Sequence, residues 1–217
     1  MKTYTVKKSA APVILNAGWE SEQWKNAETA DVCNGFDCNS DHIPLVQVKM
    51  LHDGDRICGL FRVEDRYVVA KAQKDQDMVC LDSCVEFFVQ DPAAPYYYNF
   101  EMNCGGTILL YRCEGSGCKK HEVIPDEDMK TIERYHSLPK VITEEITEPT
   151  TWYLGFAIPA EFFVKYSGSK LPLSGQKWSA NFTKCADKCS HPTWLSWMKL
   201  SRCAYHVPEE FGELVFE

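Results

Sequence analysis

The chain has 217 residues, 45% of them hydrophobic, and a formal net charge of −8, enough apolar material for one large core in a single domain over residues 1–217. The acidic balance argues against a nucleic-acid partner, and no apolar run approaches the about 20 residues that would cross a bilayer. Met1 to Lys8 carries no apolar h-region, so the chain as written reads as cytoplasmic, and as extracellular or periplasmic if a leader has been removed.

In chain order the pattern is that of strands. Residues 19–25 allow one short helical turn. From Pro44 to Leu51, Val46, Val48 and Met50 alternate with Gln47 and Lys49, the mark of a half-buried strand. An Asp53-Gly54 turn returns the chain along Arg56–Glu64 as a hairpin, and 66–71 adds a short apolar run. Residues 82–90 form the central strand: Val85, Phe87 and Val89 share one face, and Cys84, Glu86, Phe88 and Gln90 the other. An ionised Glu86 among Phe and Val is costly to bury without donors, so it is either partnered internally or aimed at a ligand.

Next comes a hairpin in which Tyr98, Phe100 and Met102 alternate with Asn99, Glu101 and Asn103, turned by Gly105-Gly106 into 107–112. Residues 114–139 are polar and irregular and read as a long loop. Residues 141–146 and 151–158 read as a further pair of strands, and Pro159 precedes a short helix at 160–164. Trp178 to Lys184 sends Trp178, Ala180 and Phe182 inward and Ser179, Asn181 and Thr183 outward, and 211–216 closes the fold. Many short alternating strands with turns between them predict an all-β antiparallel sandwich with one or two short helices.

A sandwich leaves one face of each sheet free. That face collects Asn99, Glu101, Asn103, Ser179, Asn181 and Thr183, with Glu86 beside them if it points outward. Amides and carboxylates in such a row can hydrogen-bond hydroxyls, and aromatic side chains can stack on the C–H face of a sugar. Taken singly, the same residues are ordinary solvated strand positions. Asn181-Phe182-Thr183 also matches a glycosylation sequon, which carries nothing without a secretory leader.

Eleven cysteines are an odd number, so a complete disulfide framework would leave one over. Cys33/Cys38, Cys80/Cys84, Cys113/Cys118 and Cys185/Cys189 lie close in sequence at gaps longer than the common zinc knuckle. The expectation is free, half-buried thiols in a reducing compartment, with no cofactor. A metal site from Cys185, Cys189 and His191 is the alternative. Asp75-Gln76-Asp77 and Asp126-Glu127-Asp128 read as solvated turns rather than a calcium loop.

Several blocks in order carry a resemblance. Asp82 to Phe88, Tyr97 to Asn103 with Gly105-Gly106, Trp178 to Cys185, His191-Pro192, Ser196-Trp197 and Tyr205 to Leu214 together resemble a family 9 carbohydrate-binding module of the single-domain branch, from about Trp24 to the C-terminus. The resemblance implies a β-sandwich that binds a mono- or oligosaccharide or a glycan end without cleaving it. It implies a glutamate contact at Glu86, an amide-bearing strand near Asn181, and a charged contact near Glu101. It implies one stacking ring at Tyr205 and another near Cys80. A Cys cannot stack, so Trp194 or Trp197 could supply the second ring. The expected ligand-binding set is Glu86, Asn99, Glu101, Asn103, Asn181, Lys184, Trp194, Trp197 and Tyr205, and the oligomeric state stays open.

Other chemistries remain alongside. Glu86 and Glu101 on neighbouring strands could act as the paired carboxylates of a glycosidase, set about 5.5 Å or about 6.5–9.5 Å apart. A Cys/His hydrolase would draw on Cys185 or Cys203 with His191 or His206, though no nucleophile motif supports it. A haem-holding sandwich would need axial ligands such as His206 and Met198 facing one pocket.

Overall fold

The computed structural model describes residues 2–217. Strands follow in the order β1 (Thr3–Lys8), β2 (Thr29–Asp31), β3 (Asn34–Gly35), β4 (Leu45–His52), β5 (Arg56–Asp65), β6 (Val68–Ala70), β7 (Cys84–Gln90) and β8 (Tyr96–Asn103). They continue with β9 (Ile108–Glu114), β10 (Lys120–Val123), β11 (Glu133–His136), β12 (Ile142–Ile146), β13 (Thr150–Pro159), β14 (Lys177–Cys185), β15 (Trp194–Ser196) and β16 (Gly212–Phe216). Three helices, α1 (Glu22–Lys25), α2 (Asp126–Met129) and α3 (Ala160–Ser167), are short. Among the described residues, no helix is long and apolar enough to cross a membrane.

The strands make a β-sandwich. One sheet runs β10-β9-β8-β7-β14-β16-β1 and the other β1-β4-β5-β13-β11. β1 belongs to both, because Thr3–Val6 pair in parallel with β16 and Lys7–Lys8 with the end of β4. Alternation explains the layer between them: Phe87 of β7 stacks on Phe156 of β13 at 5.3 Å and on Phe182 of β14 at 5.6 Å. Phe61 of β5 meets Phe182 edge-on at 6.3 Å. Fully burying each such ring contributes about 1.5–3 kcal/mol, so the inward set is what fixes the register of every central strand. The Asp53-Gly54 hairpin forms as its residues predict, with Gly54 at φ 97°.

Two expectations are corrected. The stretch 114–139 is not one long loop, since β10 pairs with β9, β11 pairs with β13, and α2 lies between. All four side chains of β10 are exposed, so this charged edge strand shows no alternation to read. Strands β12 and β13 are not partners: β12 pairs with β6, and β13 lies between β5 and β11.

Candidate functional site

The outer face of β7, β8 and β14 organises the site. Thr183 lies opposite Glu86, Glu86 opposite Glu101, and Glu101 opposite Leu109, so one row of side chains crosses four strands on the face away from the core. The expectation of a free, solvated face is overturned, because Asn99, Asn103, Asn181 and Thr183 are fully buried. Two stretches of chain, 72–83 and 186–211, complete the surroundings of this face: β15 extends the sheet beside β14, and Met78, Cys80, Asp187, Tyr205 and His206 border the space above it. The two stretches are joined to each other by Asp187 N–H donating to Cys80 O (3.1 Å) and Lys188 N–H to Leu81 O (3.1 Å). Tyr205 Oη donates to Lys184 O (2.8 Å) and ties the second stretch to β14.

A cleft of about 290 Å³ remains between the covering segments. Glu86, Glu101 and Asp187 line it, together with Met78, Cys80, Leu109, Tyr111, Cys185, Trp194, Tyr205 and His206. Its size is at the lower end for small-molecule sites and suits one small ring better than a long chain. Asn39 fixes one wall: its Nδ2 donates to Trp194 O (3.0 Å) and its Oδ1 accepts from Trp194 N–H (2.9 Å). The Trp194 indole N–H donates to Asp187 Oδ1 (2.7 Å), which holds both side chains at the rim.

The two floor carboxylates share one donor. Asn99 Nδ2 donates to Glu101 Oε1 (2.7 Å) and to Glu86 Oε2 (3.1 Å), while Glu101 Oε2 has no hydrogen-bond partner although Glu101 is only 6% exposed. Burial lifts the Glu86 carboxyl to about 7, partly offset by the Asn99 hydrogen bond. Burial and then the charge of Glu86 hold the Glu101 carboxyl well above the usual carboxylate range. Burial also raises Asp187, against the pull of the Trp194 N–H. The floor therefore both accepts hydrogen bonds and, in its protonated form, donates them.

The sequence-based set divides in two. Glu86, Glu101, Trp194 and Tyr205 line the cleft, and Asn99 stands behind the carboxylates as their shared donor. Four others lie elsewhere. Lys184 is on the core side of β14, 1% exposed, with Nζ 3.4 Å from Asp65 Oδ2 and 3.1 Å from Cys185 O, so the buried carboxylate takes its charge. Asn181 spends its amide on Ser196 Oγ, Met198 N–H and Phe182 N–H, and its sequon is buried with it. Asn103 binds Asp82 and caps the Gly105-Gly106 turn. Trp197 is a core residue against Phe182 at 5.4 Å. Asp187 and Tyr111 are cleft residues that the sequence reading missed, and His206, expected only as a hydrolase or haem group, lines the cleft as well. Only Tyr111 had a signal, its alternation with Leu109 on the strand paired to Glu101.

The cysteines are also redistributed. Cys113 and Cys118 form a disulfide, which corrects the expectation of free thiols throughout, and nine cysteines are free. Cys185, Cys189 and His191 do not meet: Cys185 Sγ reaches Cys80 O, Cys189 Sγ faces Ser83 Oγ, and His191 stacks on Tyr67 at 3.6 Å. Among the described residues, the clustered metal-type ligand set is instead Cys113, Cys118 and His206. Burial pushes the Cys203 thiol up to about 11, and the Cys84 contact and burial hold Cys185 well above the usual thiol range, the reverse of an activated nucleophile. Met198 does not line the cleft that holds His206, so the pair of haem ligands is not assembled. Asp75 and Asp77 are engaged by Arg134 and by backbone N–H groups, and Asp128 by Lys165 and Tyr166. A larger hollow of about 560 Å³ around Gly105-Gly106, Arg134 and Lys140 has no Trp, Tyr or Phe in its lining, and its Arg134 is already paired to Asp75.

The chain has known structural relatives. A Bacteroides uniformis protein, provisionally named as carbohydrate-binding, is 32% identical, with a TM-score of 0.86 over 100% of this chain and 99% of its own. Two structures of a carbohydrate-binding module family 9 from Caldicellulosiruptor kristjanssonii share the fold. The one in complex with glucose is 14% identical (TM-score 0.63, 100% of this chain, 96% of that one). The one in complex with cellotriose is 15% identical (TM-score 0.67, 100% and 94%). No curated protein sequence matches. The family model for carbohydrate-binding family 9 matches residues 23–216, nearly the whole chain, and the chain belongs to that family.

Proposed function

We propose that the chain holds the end of a mono- or oligosaccharide in the cleft over β7 and β8, without cleaving it. One observation carries this reading. Two buried carboxylates stand side by side on one amide, one of their oxygens has no partner, and aromatic side chains wall the space above them. Vicinal hydroxyls satisfy such a floor because each can donate to one oxygen and accept from a protonated one. Tyr111, Trp194 and Tyr205 offer ring faces to the C–H side of a sugar, and Trp194 and Tyr111 take over from the non-stacking Cys80. The small cleft suits a terminal residue, and membership of the family supports a binding role.

Calorimetric titration with glucose and cellotriose, the sugars seen in the two structural neighbours, tests this. Saturable one-site binding that disappears in Glu86→Ala, with no reducing sugar released from cellotriose, is the expected result. Release of shorter sugars would instead make Glu86 and Glu101 a catalytic pair.

A further inference from the structure

We propose that this cleft selects for charge, preferring a sugar that carries a free ammonium group over its neutral parent and rejecting sugar acids. The inference rests on the carbohydrate-binding reading above and names the class of sugar.

The lining is one-sided. Glu86, Glu101 and Asp187 contribute three carboxylates, and no Lys or Arg side chain faces them in the cleft. Lys184, adjacent in sequence, points through the sheet to Asp65, and Lys188 lines a separate hollow beside Asp82. His206 is the one basic group in the lining, and burial, aided by His121, lowers it to about 4, so it is neutral near pH 7. The carboxylates do not satisfy one another. Asn99 supplies a single nitrogen to two of them, and Glu101, a cleft-lining side chain more than nine-tenths buried, is left with no donor on Oε2.

A buried acceptor in that position asks for a donor from the ligand. A hydroxyl supplies one O–H donor and no charge. An ammonium supplies three N–H donors and a positive charge between two carboxylates that otherwise need a shared proton to coexist. A carboxylate on the ligand would add a further negative charge to a space that already crowds its own. Charge-assisted hydrogen bonds are roughly twice as strong as neutral ones, which for one such contact corresponds to about tenfold in affinity.

The test titrates the intact protein near neutral pH with glucosamine, galactosamine and mannosamine, each beside its parent hexose, and with glucuronate. The expected result is at least one amine binding about tenfold tighter than its parent, glucuronate failing to bind, and the amine-to-parent affinity ratio falling toward one in Glu101→Gln. Parent hexoses binding as tightly as their amines, or glucuronate binding as well as glucose, would overturn the charge selection and leave the carbohydrate-binding reading standing. An unchanged ratio in Glu101→Gln would also overturn it, since the preference would then come from elsewhere. No saturable binding of any neutral or amino sugar would overturn both readings together. Circular dichroism of the variant distinguishes a lost fold from a lost preference, and Glu101→Asp, which keeps the charge, should keep part of the ratio.

Discussion

Replacing Glu86 by Gln removes one carboxylate from the buried pair while keeping its shape and its hydrogen bond from Asn99. The Glu86 carboxyl is lifted from 4.5 to about 7, chiefly by burial, so the folded state favours its protonated form. Its contribution to stability is therefore full below the unfolded value and is lost as pH rises through about 7. A shift of that size corresponds to about 3 kcal/mol between about pH 5 and about pH 8. Glu86→Gln has no such ionisation to undergo. Urea unfolding at several pH values in this window should find the variant close to the wild type at the acid end and about 3 kcal/mol more stable relative to it at the alkaline end. His206 and the groups away from the pair are common to both proteins and cancel in the difference, while Glu101, which the Glu86 charge raises, shifts the difference further in the same direction. Parallel stability curves across the window would refute the idea that Glu86 and Glu101 are a desolvated pair.

Other consequences can be checked with the same preparations. Asp65→Ala leaves Lys184 charged and uncompensated beneath the sheet, which should cost about 3–5 kcal/mol and lower the melting temperature by roughly 10 °C. Tyr205→Phe removes the hydroxyl bond to Lys184 O but leaves the ring, so calorimetry should find binding retained with a stability loss of about 1 kcal/mol, whereas Trp194→Ala should abolish binding. Thiol titration of the denatured, unreduced protein should count nine free cysteines, and a count of eleven would remove the Cys113–Cys118 bridge from the account.

The strands and their inward faces are legible in the residues because a period of two must bury Phe87, Phe100, Phe156 and Phe182 on one side. The pairing of Glu86 with Glu101 is nearly legible as well, since the Gly105-Gly106 turn and a charged residue inside an apolar strand both point to it. Lys184 is instructive. Strand parity alone puts it on the same side as Phe182, and the cost of burying an ammonium argues for a ligand, but Asp65, more than a hundred residues away, answers that cost from the facing sheet. The roof of the cleft could not be read. Residues 72–83 and 186–211 have little periodicity, and what holds them is mostly backbone bonding and the Asn39–Trp194 contact, neither of which leaves a pattern in side-chain type. The expected open row of amides was for that reason mistaken in its solvation. Asn181 and Asn103 answer to Ser196, Met198 and a turn, while Asp187 and His206 arrive on the roof.

The most direct measurement is a crystal structure with the sugar that most raises the melting temperature in a panel of mono- and oligosaccharides. The sugar ring should lie against Trp194, Tyr111 or Tyr205, with an oxygen or nitrogen within hydrogen-bond distance of Glu101 Oε2. A sugar bound instead in the larger hollow around Arg134 and Lys140, with the carboxylate pair untouched, would contradict the assignment of the site.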